Sequence, residues 1–139
     1  MNDSITLDDR LETARALRKQ GYNCSQCVFM AFNDVHGLSS DDAFRIIGGL
    51  GGGVGGQHHV CGTVSAMSTV LSSIYYDTPG KKIAAYGAIK DCCGRFGDIN
   101  GSIICAELLA DTPRRKPCMA YIEDSITILH KHLTECGGC

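Results

Sequence analysis

Apolar residues recur at helical spacing along almost the whole chain. Leu7, Leu11, Ala14 and Leu17 make a first stripe. A second helix opens at Cys24, turns Val28, Ala31, Phe32 and Val35 inward, and stops at Gly37. Ser39 or Ser40 caps a third, with Asp41 and Asp42 in its first turn and Ala43, Phe44, Ile46 and Ile47 buried. The stretch from Val60 to about Tyr76 aligns Val64, Met67, Leu71 and Ile74. Its other positions include Gly62, Ser65, Ala66, Ser68 and Ser72, small enough to let another helix come close, which places this helix centrally. Pro79-Gly80 breaks the chain before a fifth helix over Lys81 to Phe96, carrying Ile83, Ala84, Ala88, Ile89 and Phe96. A short sixth starts at Ser102, and a last runs from about Met119 to Leu133 with Ile122, Ile126, Leu129 and Leu133 at spacings of four, three and four. No segment alternates as a strand does, and neither a repeat nor a linker divides the chain. The expectation is all-α: one domain over residues 1–139, a compact bundle of six to seven helices, a glycine-rich loop before the central helix, and a flexible tail over 135–139.

Composition narrows the function. The net charge is -2 and the isoelectric point about 6.2, which argues against nucleic acid or an anionic membrane surface as partner. The N-terminus is acidic and lacks the apolar core of a secretory signal, and no run reaches the ~18 apolar residues of a membrane span. A cytoplasmic protein is expected. Nine cysteines in a reducing compartment are poor disulfide staples, and an odd number cannot pair fully within one chain. Metal ligation or redox exchange accounts for them better.

Four cysteines fall where helices begin. Cys24 follows Gly21-Tyr22-Asn23, Cys61 follows the glycine run, Cys105 follows Gly101-Ser102, and Cys118 follows Pro117. Unpaired amides and the positive end of the helix dipole stabilise negative sulfur and are expected to lower these thiol pKa values. Brought together, the four would make a metal or iron–sulfur site, or a dithiol redox centre; taken singly, each is also a small buried side chain. Their spacing matches neither a zinc ribbon nor a ferredoxin pattern. Cys24-Ser25-Gln26-Cys27 is a C-x-x-C at a helix start, suited to a dithiol pair or to two ligands of one metal. Val28 follows it, so it is not a haem attachment motif, and no βαβ pattern precedes it. Cys92 and Cys93 point to different helix faces and do not ligate together; one belongs to the core. Cys136 and Cys139 lie in the tail, where transfer of metal, resolution of a disulfide and no role at all stay open. His58 and His59, just before Cys61, are solvated side chains, ligands or proton donors to the site. His130 and His132 read as surface residues.

The run from Gly48 to Gly56 is not a P-loop, because no Gly-Lys-Ser/Thr follows, and no strand precedes it as a dinucleotide fingerprint requires. It is a tight packing loop, or a set of bare amides around Cys61 or an anionic cluster. In the second case Gly53, Gly55, Gly56 and Gly62 would tune the bound group.

Taken in order, Gly-Tyr-Asn-Cys, the glycine run, Val-Cys-Gly-Thr-Val-Ser-Ala, Gly-Ser-Ile-Ile-Cys and a cysteine before the last helix resemble the C_GCAxxG_C_C family of redox-active proteins, from about Leu11 to Leu133. The family's four cysteines correspond to Cys24, Cys61, Cys105 and Cys118. Its central Cys-Gly-Ala-x-x-Gly reads Cys61-Gly62-Thr63-Val64-Ser65-Ala66, with two small-for-small replacements. A similar domain in split-Soret cytochromes is associated with an iron–sulfur centre. The resemblance implies an iron–sulfur cluster on the four cysteines and a redox partner protein or transporter-associated system as partner. Cys27 would replace a ligand or hold a second metal.

The leading expectation is electron transfer or redox sensing through an iron–sulfur cluster, with neither haem nor nucleotide bound. A thiol–disulfide oxidoreductase using Cys24, Cys27 and Cys61 is one alternative. A zinc or copper module or metal chaperone is another, and a structural helical domain with incidental cysteines a third. The small-residue helix face and the thiol-rich tail suit a homodimer interface.

Overall fold

A computed structural model describes residues 4–135. The elements run α1 (Leu7–Lys19), α2 (Cys24–Met30), α3 (Asn33–His36), α4 (Ser40–Ile47), α5 (Gly62–Tyr75), α6 (Lys82–Asn100), α7 (Cys105–Leu108) and α8 (Cys118–Glu135), with short 3-10 turns at Gly48–Leu50 and Pro79–Lys81. The fold is an all-α bundle, as the periodicity predicts. Among the described residues the nearest thing to a strand is one isolated antiparallel bridge, Val60 with Ile104. No helix among them is long and apolar enough to cross a membrane.

Local chemistry sets the helix starts. Thr6 and Asp9 exchange hydrogen bonds in a capping box ahead of α1, and Asn23 and Gln26 do the same ahead of α2. Ser39 caps α4 through the amide of Asp42 at 3.1 Å. Polar side chains at the start of α2 then fasten it to the end of α4. Ser25 Oγ donates to the Ile47 carbonyl at 2.9 Å, Gln26 Nε2 to Phe44 O at 3.1 Å, and Asn23 Nδ2 to Gly48 O at 3.0 Å.

Helix α5 packs against both α2 and α6, and α8 crosses α1, α2, α5 and α6. Phe29, Phe32, Met67, Leu71, Phe96, Ile122, Ile126 and Leu129 fill the centre. Each buried side chain of this size contributes roughly 1.5–3 kcal/mol relative to exposure. The central position predicted for the small-residue helix is therefore observed.

Other expectations change. The second predicted helix is two: α2 ends at Met30, and Phe32 (φ -122°) breaks the turn before α3, which Gly37 ends in the left-handed conformation at φ 75°. Phe44 and Ile46 are 40% and 62% exposed, because α4 lies on the outside and buries only Ala43 and Ile47. Ile83, near the start of α6, is 88% exposed rather than turned into the core. His132 is buried against Tyr75, and His130 accepts a hydrogen bond from Arg10, so neither is a free surface residue. Helix α8 continues through Glu135, one residue into the expected tail; Cys136 and Cys139 lie outside the described residues.

Arg10 is a core residue that the pattern conceals. It is 1% exposed, pairs with both Asp34 oxygens at 2.7 and 3.0 Å, donates to Ala31 O at 2.7 Å, and lies 4.3 Å from the centre of the Phe32 ring. It closes α1 over the α2–α3 break.

Candidate redox site

Cys24, Cys105 and Cys118 are each the first residue of a helix, and Cys61 is the residue that caps α5. The capping box at Asn23 fixes Cys24. The loop before α5 and the loop before α7 are locked to each other by backbone. Cys61 N donates to Ile103 O at 2.8 Å, Cys105 N to His59 O at 2.6 Å, and Ala106 N to His58 O at 3.1 Å. Tyr121 ties the third arm, donating its hydroxyl proton to Leu108 O at 2.9 Å while accepting from Lys116 N at 3.1 Å. That pair of bonds seats the start of α8 on the end of α7.

The result is one small cavity of about 70 Å³ lined by all four cysteines. Gly52, His58, Gly62, Thr63 and Tyr121 lie among its other walls. Gly62 is where the backbone comes closest to sulfur: a Cβ there would stand 2.7 Å from Cys24 Sγ and 2.8 Å from Leu50 O. Thr63 Oγ1 is 3.1 Å from Cys61 Sγ, and His58 Nδ1 is 3.3 Å from Cys105 Sγ. His58 is reached at φ 63°, a left-handed conformation that a side chain rarely adopts, and its ring joins the cavity wall while the residue as a whole stays exposed.

The glycine run divides. Gly62 and Gly52 line the cavity, whereas Gly53, Gly55 and Gly56 do not. The amides of Gly55 and Gly56 donate to Gly49 O and Gly51 O at 2.8 and 3.1 Å, so the loop satisfies itself. Gly53 is pressed against the His58–His59 backbone, 2.5 Å from its own hypothetical Cβ to His59 N, and packs the loop. Cys27 also stands apart: it is fully buried in the core behind Cys24, 3.7 Å from Tyr22 O, and does not line the cavity. Of the adjacent pair, Cys92 is the core residue, and Cys93 lies 3.6 Å from Ser68 Oγ on α5.

The expected lowering of thiol pKa is corrected at two of the four cysteines. Burial pushes the Cys61 thiol up, against the lowering effect of its Thr63 hydrogen bonds. Burial also pushes Cys105 up, reinforced by Cys61, Cys24 and Cys118. Desolvation outweighs the helix ends here, and four sulfurs in one cavity repel one another as anions. Cys27 is pushed up to about 11, first by burial. Such thiols are poor free nucleophiles. They become stable thiolates when a cation supplies the compensating charge.

The donor set, four cysteine sulfurs, suits zinc, copper(I) or iron–sulfur chemistry. Among the described residues the only three potential ligands whose donor atoms all lie within 4.8 Å of one another are Asp91, Cys92 and His132, outside this cavity.

A family model matches residues 22–132, the family described as "Putative redox-active protein (C_GCAxxG_C_C)". The chain belongs to this family. No curated protein and no solved structure matches it.

Proposed function

We propose that the protein carries an iron–sulfur cluster on Cys24, Cys61, Cys105 and Cys118 and works in electron transfer or redox sensing. The observation that carries the reading is the convergence of four sulfurs, from four separate stretches of chain, on one cavity. Four cysteine thiolates are the usual ligand set of an iron–sulfur cluster. Bound there, a cluster would supply reversible one-electron oxidation and reduction. The protein's own contribution is to hold the thiolates and govern their surroundings. Gly62 keeps the wall beside Cys24 free of side chain, Thr63 can donate to Cys61 Sγ, and His58 can donate to Cys105 Sγ from the rim. Hydrogen bonds to the sulfurs raise the potential of such a centre. His58 is exposed, so the cavity lies near the surface, where a redox partner protein or a transporter-associated system can exchange electrons. A cytoplasmic setting agrees with nine cysteines kept reduced.

The test is anaerobic purification, followed by reconstitution with iron and sulfide. A brown protein with sulfur-to-iron charge-transfer absorbance and bound iron and sulfide is expected. A colourless protein after reconstitution, with its fold intact, overturns the reading.

A further inference from the structure

We propose that Asp91, Cys92 and His132 form a second metal site, separate from the four-cysteine cavity, that takes a divalent transition ion of the zinc class. Their donor atoms all lie within 4.8 Å of one another, and none of the three lines the cavity. Asp91 and Cys92 are neighbours on α6, and His132 faces them from α8, so an ion would bridge two packed helices.

The histidine is oriented as a ligand should be. Its Nε2 lies 2.8 Å from the Tyr75 hydroxyl at the end of α5, while Nδ1 lies 4.0 Å from Asp91 Oδ2. With Nδ1 given to an ion, the ring proton sits on Nε2 and donates to the Tyr75 oxygen. A fixed partner on the far nitrogen is what holds metal-binding histidines in register. Cys92 is fully buried and His132 nearly so, while Asp91 is about half exposed and gives the ion its way in.

The donors choose the ion. Sulfur, nitrogen and one carboxylate oxygen are a zinc set, and thiolate with imidazole disfavours magnesium and calcium. Three protein ligands leave a fourth position to water. Charge balances as well. Arg95 pairs with Asp91 at 3.2 Å and with Glu135 at 3.4 Å, and is 39% exposed. It can keep Glu135 while Asp91 turns to the ion. Cys92 then loses one proton to solvent, and its thiolate with the Asp91 carboxylate offsets the double positive charge.

The experiment is an anaerobic titration of the full chain with cobalt(II), a zinc-sized probe with visible spectra, comparing the wild type with His132→Gln, Asp91→Asn and Tyr75→Phe. The wild type is expected to take up one more equivalent than His132→Gln. The difference spectrum should show tetrahedral cobalt and charge transfer from a single thiolate, and zinc should displace it. Asp91→Asn and Tyr75→Phe should weaken that equivalent by about tenfold or more. Asp91 is exposed, so its variant keeps the fold, which circular dichroism verifies; this protects the test if His132→Gln unfolds. Equal cobalt uptake and affinity in the wild type and a folded Asp91→Asn overturns the proposal. The four-cysteine cavity is unaltered in every variant, so failure here leaves the cluster reading standing, and the reverse holds.

Discussion

A methyl group on Gly62 would stand 2.7 Å from the sulfur of Cys24. It would also press on Leu50 O at 2.8 Å and on the Cα of Gly51 at 3.2 Å, and backbone cannot rotate aside. Gly62→Ala should therefore destabilise the protein by about 2 kcal/mol and distort the cavity at once. Denaturant unfolding together with iron uptake checks this; unchanged stability with full uptake would show that the contact is not tight.

The cavity sulfurs should be separable from the rest by substitution. Serine at position 24, 61, 105 or 118 is expected to abolish most iron and sulfide binding. Cys27→Ala should leave binding intact, because that sulfur lies in the core away from the cavity. Its cost should be about 1 kcal/mol of packing. Iron loss in Cys27→Ala equal to that in Cys24→Ser would refute the assignment of ligands.

Arg10 and Asp34 form a buried pair, with the Arg10 side chain wholly enclosed and that of Asp34 at 15% exposure. Removing Asp34 strands a cation among Phe32, Ala31 and His130. Asp34→Ala should cost about 3–5 kcal/mol. A loss well under 1 kcal/mol on chemical unfolding would mean that water replaces the carboxylate.

Stability should fall in alkali. Cys27 is raised from the ordinary 9.0 to about 11, so between those values the unfolded chain has lost the proton that the folded chain keeps. The contribution is fully present below pH 9.0 and disappears as pH rises through about 11, for a change of about 3 kcal/mol. Cys27→Ala should flatten this limb of the stability curve; a limb of the same slope in the variant assigns it elsewhere.

Stability should also fall in acid through the histidines. His36, His130 and His132 are all held below 6.5, first by burial. Above that pH both folded and unfolded rings are neutral. As pH drops below 6.5 the unfolded chain binds protons that the folded chain refuses, and stability declines. Unfolding midpoints measured across pH 7 to 5 should show this decline, and a flat profile would contradict it.

Periodicity and capping residues determined a good deal by themselves. The stripe over Val64, Met67 and Leu71 with its small opposite face, the start of α2 at Cys24 and the cap at Ser39 are short-range matters, settled by spacing and by groups a few residues apart. The same local signals put four cysteines at helix starts and pointed to their family. Tertiary structure decided the rest. Phe44 and Ile83 sit on apolar positions yet face outward, because only packing says which side of a short helix has a neighbour. His132 reads as surface and is buried, and Arg10, which no pattern marks as core, is enclosed as well, because a partner on a distant segment satisfies each of them. Cys27 and Gly53 adjoin the site in sequence yet lie off it, and Cys92 meets His132 across two helices with no motif to announce it. Which sulfurs share a cavity, and which way burial moves their protons, depends on contacts between segments far apart in the chain, and spacing along one segment carries no information about those.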